Sequence, residues 1–259
     1  MSPAGFAQTR VILYLFAGES CQNLAMTHRR WIADEVSGDQ AALTGAHADH
    51  LVRVLRAQVG QEFDIATGND VRRGKIVSIT GGRVEFALGE KVETAPSANI
   101  TLVLSIFKFD RMEWAIEKCT ELGVARIVPV IAQRTEKHLA AAAVKRVERW
   151  RRIARQASEQ ARRTSPPEIT QPMNLNDALA LPGSGRIVLS ESEKSVMLKD
   201  ALQSSGDLAL AFGPEGGWTE IELQSFVHSG WVSASLGPTI LRAETAAIAA
   251  TAIAASALE

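Results

Sequence analysis

Several features that define common protein classes are missing from this chain. It contains only two cysteines, Cys21 and Cys119, and no CxxC motif, which argues against a disulfide framework and favours a reducing, cytoplasmic location. No apolar run approaches the roughly 18 residues that a membrane-spanning helix requires. The formal net charge is −1, so total charge neither favours nor excludes a nucleic-acid partner.

Common catalytic and cofactor motifs are also absent. Without GxxxxGK(S/T) the chain does not resemble a P-loop nucleotidase, and without GxGxxG it lacks the Rossmann dinucleotide fingerprint. HExxH and GxSxG are missing as well. His47 and His50 stand three residues apart, but no further ligand types lie nearby. We therefore predict no metal site and assign these histidines to the surface or to an RNA-facing side.

The composition that remains is that of a globular protein, and 259 residues suffice for one large domain or two modest ones. The first part favours short strands, at Phe63–Ala66, Gly74–Ile79 and Arg83–Leu88, separated by glycine-containing turns. A helix is predicted over His47–Arg56. Closely spaced short strands indicate a small barrel.

After Asn99 the pattern changes to alternating strands and helices. Apolar strands are predicted at Ile100–Ile106, Arg126–Ile131, Arg186–Ser190, Leu208–Phe212 and Trp231–Ala234. Helices are predicted at Asp110–Leu122, Ala140–Arg163 and Val196–Gln203, from near Thr219, and over Arg242–Leu258. Such alternation predicts a parallel sheet covered by helices on both faces.

One predicted helix is strongly basic. Eight basic residues lie between Lys145 and Arg163, against Glu148 and Glu159, which gives a local charge of about +6. This concentration favours contact with a polyanion, although the arginines could equally form the solvated face of an amphipathic helix. Its predicted apolar stripe consists of Val144, Val147, Trp150, Ala154, Ala157 and Ala161.

Two glycine–proline loops near the C-terminus are the most informative feature. Gly213–Gly217 and Ser235–Arg242 each follow a short apolar strand and precede a helix. Glycine at a strand end lets backbone amides approach a ligand closely, and ligands of open α/β sheets bind outside the carboxyl ends of the strands. We therefore predict that the loops form two walls of one ligand pocket.

These loops resemble the signature of the SPOUT methyltransferases. More closely, the chain from Arg29 onward resembles the RsmE family, the 16S rRNA uridine-N3 methyltransferases. Further similarity lies in His47–Arg56, Glu117–Val124 and Ala157–Arg163. Trp218 stands where the family usually has phenylalanine.

The resemblance implies a fold and an activity. The fold is α/β, with an N-terminal PUA/OB-like RNA-binding β-barrel over residues 26–95 and a C-terminal SPOUT domain over residues 96–259 that contains a trefoil knot. Residues 1–25 fall outside the resemblance and are predicted to be a dispensable extension. The implied activity is methyl transfer from S-adenosylmethionine to N3 of a uridine in the decoding region of 16S rRNA, in the free RNA or the small ribosomal subunit. A homodimer is implied, with neither membrane nor metal.

The resemblance and the chemistry together suggest site residues. Because N3 of uridine carries a proton at neutral pH, a base or a stabiliser of the resulting anion is needed. Arg242 and Arg162 are candidate stabilisers, and either Glu215 or Glu244 can serve as base. The predicted cofactor-binding residues are Leu189, Gly213, Pro214, Glu215, Gly216, Gly217, Leu236, Gly237, Ile240 and Leu241. The predicted RNA-binding residues are Arg29, Arg30, His50, Arg53 and Arg56.

Two other functions remain compatible with the sequence. One is a different SPOUT activity, such as ribose 2′-O-methylation of tRNA or rRNA. The other is a non-catalytic RNA-binding assembly factor that has kept the fold. The order of the two domains argues against the first, and the complete glycine loops argue against the second.

Overall fold

The computed structural model describes residues 30–93, 99–202 and 206–258. The predicted extension 1–25, Arg29, residues 94–98 and the last residue of the predicted helix Val196–Gln203 lie outside these ranges. Within them, no helix has the length and hydropathy needed to cross a membrane.

The first part of the chain forms a six-stranded mixed sheet. Its strands are β1 (Arg30–Ile32), β2 (Glu35–Ser37), β3 (Gln40–Thr44), β4 (Glu62–Ala66), β5 (Val71–Thr80) and β6 (Arg83–Val92), in the order β1-β4-β5-β6-β3-β2. Only the β1–β4 pair is parallel. The three strands predicted here are confirmed, with longer bounds for β5 and β6.

Three short strands of this sheet, β1, β2 and β3, were not predicted. All three residues of β2 are exposed, and β3 buries Ala41, Ala42 and Leu43 in succession, so neither strand alternates between apolar and polar residues. Strand β2 pairs with β3 in a short hairpin, whereas β1 pairs with β4 and β3 pairs with β6, both of which lie further along the chain.

The predicted helix His47–Arg56 begins and ends two residues earlier than expected and is less regular. Helix α1 (Gly45–Asp49) continues into one π-helical turn over His50–Val54. Arg56 follows the helix with φ of 54°, in the left-handed region. Arg56 therefore lies outside the helix in which it was predicted, and it does not share a helical face with Arg53.

The second part of the chain forms a seven-stranded parallel sheet. Its strands are β7 (Ile100–Ser105), β8 (Arg126–Ile131), β9 (Glu168–Ile169), β10 (Met173–Asn174), β11 (Gly185–Leu189), β12 (Leu208–Phe212) and β13 (Val232–Ala234). The order is β10-β8-β7-β12-β11-β13, and β9 also pairs with β8. The predicted parallel sheet is confirmed; β9 and β10, with two residues each, were not predicted.

Helices cover both faces of this sheet. They are α2 (Phe109–Glu121), α3 (Lys137–Gln160), α4 (Leu175–Leu179), α5 (Leu198–Ala201), α6 (Glu220–His228) and α7 (Ala243–Leu258). Leu102 and Leu104 of β7 belong to the core under α2, α3 and α7, whereas Val103 packs with residues of α4 and α6. Adjacent residues thus face opposite cores, which explains the uninterrupted apolar run of β7.

The basic helix α3 differs in detail from its prediction. Its buried residues are Leu139, Ala143, Val147, Trp150, Ala154, Ala157 and Ser158. Val144 is 60% exposed, so its assignment to the apolar stripe was wrong. Arg162 and Arg163 lie beyond the helix end, and Arg162 adopts a left-handed φ of 56°.

Candidate functional site

A pocket lies at the carboxyl ends of β11, β12 and β13. Because these strands are parallel, Leu189, Phe212 and Ala234 end at one edge of the sheet, and the loops that follow surround a common space. The cavity measures about 350 Å³, a size suited to a small organic ligand. Both glycine–proline loops line it.

The first loop requires glycine at two positions. A Cβ atom at Gly213 would lie 3.1 Å from the backbone nitrogen of Trp218 and 3.3 Å from the carbonyl carbon of Gly217. Gly217 has φ of 69°, and a Cβ there would lie 2.8 Å from Oε1 of Glu191. Side chains at these positions would push the loop out of its conformation.

Helix α6 begins directly behind this loop with a capping box. The hydroxyl of Thr219 accepts from the backbone N–H of Glu222 at 3.3 Å, and the Glu222 carboxylate accepts from the backbone N–H of Thr219 at 2.8 Å. The buried Glu222 carboxylate also accepts from the backbone N–H of Gln133 at 2.7 Å. The loop is therefore connected to the end of β8.

The second loop joins β13 to α7. The Ser235 hydroxyl accepts from the N–H of Gly237 at 3.2 Å, and Gly237 has φ of 135° with open space where a Cβ would stand. Ile240 lines the pocket although it is 83% exposed. An exposed apolar side chain at the pocket rim is available to a ligand.

Three charged groups connect the two loops at one side of the pocket. Nη1 of Arg111, from the first turn of α2, donates to Oε1 of Glu215 at 2.8 Å. Nε of Arg111 lies 3.8 Å from Oε1 of Glu244, whose side chain is 4% exposed. Arg111 thereby joins the Gly213–Gly217 loop to the first turn of α7.

The pocket contains most of the residues predicted for it. Its lining includes Leu189, Gly213, Pro214, Glu215, Gly217, Leu236, Gly237, Ile240, Leu241 and the predicted catalytic Arg242. Gly216 is not in the lining, because it faces Arg134 on the other side of the loop. Glu244 lies beneath the pocket beside Arg111, and Arg162 lies next to the first sheet, where its carbonyl accepts a hydrogen bond from Arg30.

The lining residues that sequence reasoning missed include Arg111, Glu191 and Trp218, the last of which it noted only as a departure from the family. Glu191 comes two residues after the predicted strand residue Leu189, so its place at a strand end was a usable signal. Arg111 gave no such signal, since it lies 104 residues from Glu215 in the sequence.

Four of the five predicted RNA-binding residues are described: Arg30 lies on the first sheet, His50 and Arg53 lie on its helical segment, and Arg56 lies just after that segment. The His50 ring lies 5.8 Å from the ring of Trp31, and Arg53 pairs with Asp49 at 3.3 Å while its side chain stays 79% exposed. Arg56 is exposed, whereas partial burial lowers the pKa of Arg30. Arg29 is outside the described residues.

A polar network joins the first sheet to helix α3. Nη2 of Arg155 lies 2.7 Å from Oδ1 of Asp34, and His47 lies 3.2 Å from Asp34 and 3.5 Å from Glu159. The hydrogen bond to Asp34 raises the pKa of His47, against the opposing effect of burial. These contacts fix the first sheet on the helix that follows β8.

The eight basic residues between Lys145 and Arg163 are largely engaged within the protein. Five of the eight contact acceptors: Arg146 and Arg149 with Glu113, Arg151 with Glu148 and the carbonyl of Ile169, Arg155 with Asp34, and Arg163 with the carbonyl of Thr120. Burial lowers the pKa of Arg163 to about 10. Lys145 and Arg152 are exposed. Glu113 and Asp34 offset part of the predicted +6 charge, in which Glu148 and Glu159 were already counted.

No metal site accompanies the pocket in the parts of the chain that the structure covers. Over residues 30–93, 99–202 and 206–258, no group of three His, Cys, Asp or Glu side chains is arranged to hold a metal ion. Cys119 is buried and unpaired, and burial raises the pKa of its thiol to about 12, so it is not a reactive thiolate.

Comparison with known proteins identifies the class to which this fold and pocket belong. A family model described as an RNA methyltransferase domain matches residues 93–255, a range that includes the whole parallel sheet and both pocket loops. The pocket thus lies in the part of the chain that matches an RNA methyltransferase domain.

Individual relatives extend the match to the first sheet. The ribosomal RNA small subunit methyltransferase E of Synechocystis sp. is 30% identical over 236 residues, which cover 88% of this chain and 77% of the relative. The corresponding enzyme of Neisseria gonorrhoeae, solved bound to S-adenosyl methionine, is 31% identical with a TM-score of 0.77, covering 87% of this chain and 95% of that one. A methyltransferase of Legionella pneumophila, solved with the same cofactor, is 29% identical with a TM-score of 0.78, covering 89% and 98%. This chain therefore belongs to the ribosomal RNA small subunit methyltransferase E family.

Proposed function

We propose that this protein transfers a methyl group from S-adenosylmethionine to N3 of one uridine in the decoding region of 16S rRNA. The observation that carries the proposal is the pocket between the two glycine loops, in a chain whose solved relatives are described as bound to S-adenosylmethionine. The substrate class is inferred from the relatives' names. The choice of N3 of uridine is inferred from the resemblance of the sequence to the RsmE family.

The pocket residues suit this cofactor. Apolar side chains of Leu189, Phe212 and Leu236 offer surface to a purine ring, and the open backbone at Gly237 allows close approach to its polar edge. Glu191 and Glu215 place negative charge at a site that would hold a sulfonium and an ammonium group. When bound, the cofactor supplies an electrophilic methyl group.

The remaining chemistry falls to the side chains of the chain. The N3 proton of uridine must leave before or during transfer, and the negative charge then spreads onto the uracil oxygens. Arg242 lines the pocket and is the proposed stabiliser of that charge. Of the two candidate bases, Glu215 lines the pocket, whereas the buried Glu244 lies behind it beside Arg111. We therefore favour Glu215 as base and Glu244 as the support that holds Arg111.

The proposal extends to the whole enzyme. The first sheet would act as a PUA/OB-like RNA-binding barrel spanning residues 26–95, and residues 96–259 as a SPOUT domain with a trefoil knot. Arg162 lies outside the pocket lining of its own chain, so its proposed role requires a homodimer in which a second copy brings it to the pocket. The enzyme would act in the cytoplasm, without a metal.

Calorimetric titration with S-adenosylmethionine tests the cofactor part of this proposal. We expect saturable binding with one site per chain and displacement by S-adenosylhomocysteine. Absence of binding by the folded protein would contradict the proposal and favour a non-catalytic assembly factor.

A further inference from the structure

The back of the first pocket loop is held by a residue that belongs to none of the loop motifs. Gly216 is the residue of Gly213–Gly217 that faces away from the pocket, and a Cβ there would lie 3.4 Å from Cδ of Arg134. Arg134 follows strand β8 and is exposed. The loop therefore has the cavity on one side and Arg134 on the other.

Arg134 fixes two peptide groups of this loop. Its Nη1 donates to the carbonyl of Gly216 at 2.6 Å and to the carbonyl of Trp218 at 3.3 Å. The N–H of the Gly216–Gly217 peptide donates to the carbonyl of Pro214 at 2.8 Å. The N–H of the Trp218–Thr219 peptide donates to the Glu222 carboxylate at 2.8 Å. Because peptides are planar, each is held at both ends, and Arg134 is common to both.

The Gly217–Trp218 peptide lies between these two peptides and faces Gly213, which follows β12. The carbonyl carbon of Gly217 and the nitrogen of Trp218 are the atoms that a Cβ on Gly213 would meet first, at 3.3 and 3.1 Å. Since its two flanking peptides are fixed, this middle peptide can rotate little. Its position sets the wall of the cavity at the end of β12.

Arg134 itself stands on a fixed turn. The backbone N–H of Gln133 donates to Glu222 at 2.7 Å, and the Thr135 hydroxyl accepts from Ala132 and donates to the carbonyl of Ile106. The turn is thereby attached to the ends of β7 and α6. A guanidinium on such a support can hold the loop in place before a ligand arrives.

We propose that Arg134 is a positioning residue of the pocket: without touching the ligand, it holds the Gly216–Trp218 backbone in the conformation that binds the cofactor. This inference rests on the proposed function only in naming S-adenosylmethionine as the ligand. Both charge-assisted hydrogen bonds come from Nη1 of the planar guanidinium, and a lysine ammonium on its flexible stem replaces them only in part.

The test compares three variants by calorimetry with S-adenosylmethionine. Arg134→Met should weaken binding about tenfold or more, and Arg134→Lys should be intermediate. Arg149→Met is the matched control, since Arg149 is also an exposed arginine, pairs with Glu113 at 2.6 Å and is absent from the pocket lining. The affinity of Arg149→Met for S-adenosylmethionine should equal that of the wild type. Equal affinities of Arg134→Met and wild type would overturn the proposal.

Hydrogen–deuterium exchange of the ligand-free protein separates this inference from the proposed function. Amides of residues 216–219 should exchange faster in Arg134→Met than in the wild type, while those of the β7 core are unchanged. Unaltered exchange in the loop would overturn the positioning role. If the wild type itself fails to bind the cofactor, the proposed function fails, and the exchange result still decides the role of Arg134.

Discussion

At the scale of single residues, the site depends on glycines for two different reasons. Gly213 is required for space, since a Cβ would meet the backbone of Trp218 at 3.1 Å. Gly237 is required for conformation, since its φ of 135° is strained for other residues while the space around it is open. Both requirements concern the backbone that a ligand would contact.

We predict that Gly213→Val and Gly237→Val each lower the affinity for S-adenosylmethionine by about tenfold or more, because the loop must move from its binding conformation. Gly68→Val is the control: Gly68 has a left-handed φ of 95° and open surroundings, but it lies in the turn between β4 and β5. Calorimetry on the three folded variants measures the effect. Wild-type affinity in both pocket variants would show that the pocket is wrongly assigned.

At the scale of elements, the contact between the first sheet and α3 depends on ionisation. Burial opposes ionisation of Asp34, but hydrogen bonds from His47 and Thr44, together with Arg155, lower its pKa. The pKa of His47 is raised above its ordinary value of 6.5, first by Asp34 and further by Glu159. The charged imidazole therefore stabilises the junction.

The sign of the resulting pH dependence follows from linkage. A group whose pKa is raised by folding contributes its full stabilisation below its unfolded value, and this contribution is lost as pH rises through the folded value. We predict that His47→Gln lowers the free energy of unfolding more at pH 6 than at pH 8.5. Urea denaturation at both pH values measures the difference. An equal loss at the two values would mean that His47 is not charged in the fold.

Elements with a strong local pattern could be predicted from the sequence, and those formed by distant partners could not. Strand β12 was predicted at Leu208–Phe212 because its apolar run stops at a glycine. The three-residue strand β1 is too short to show such a pattern, and it forms by pairing with β4, which lies beyond β3 and α1 in the sequence. The same distinction holds in the site: the glycine loops were visible, whereas Arg134 contacts Gly216 across 82 residues of sequence.

At the scale of the whole molecule, RNA must be held so that one base reaches the pocket. Total charge gives no guidance, and the arginines of α3 are mostly paired within the protein. Arg53 and Arg56 are exposed on the first sheet's helix and just after it. Arg56 has a left-handed φ of 54°, so the two side chains do not share one helical face.

We predict that replacing Arg53 and Arg56 together with glutamate weakens rRNA binding but leaves cofactor affinity unchanged. Each phosphate contact that is lost should reduce the slope of binding against salt by about one unit. Filter binding at several salt concentrations measures both effects. The control replaces the exposed Lys145 and Arg152 of α3 in the same way. An unchanged slope in the first double variant, with a reduced slope in the second, would assign RNA binding to α3 instead.

The most direct test of the central claim is nucleoside mass spectrometry of 16S rRNA from a strain that lacks this gene. The account predicts that one 3-methyluridine is missing, that the wild-type gene restores it, and that a Gly213→Val gene does not. Full 3-methyluridine in the deletion strain, or loss of a ribose-methylated nucleoside instead, would contradict the account.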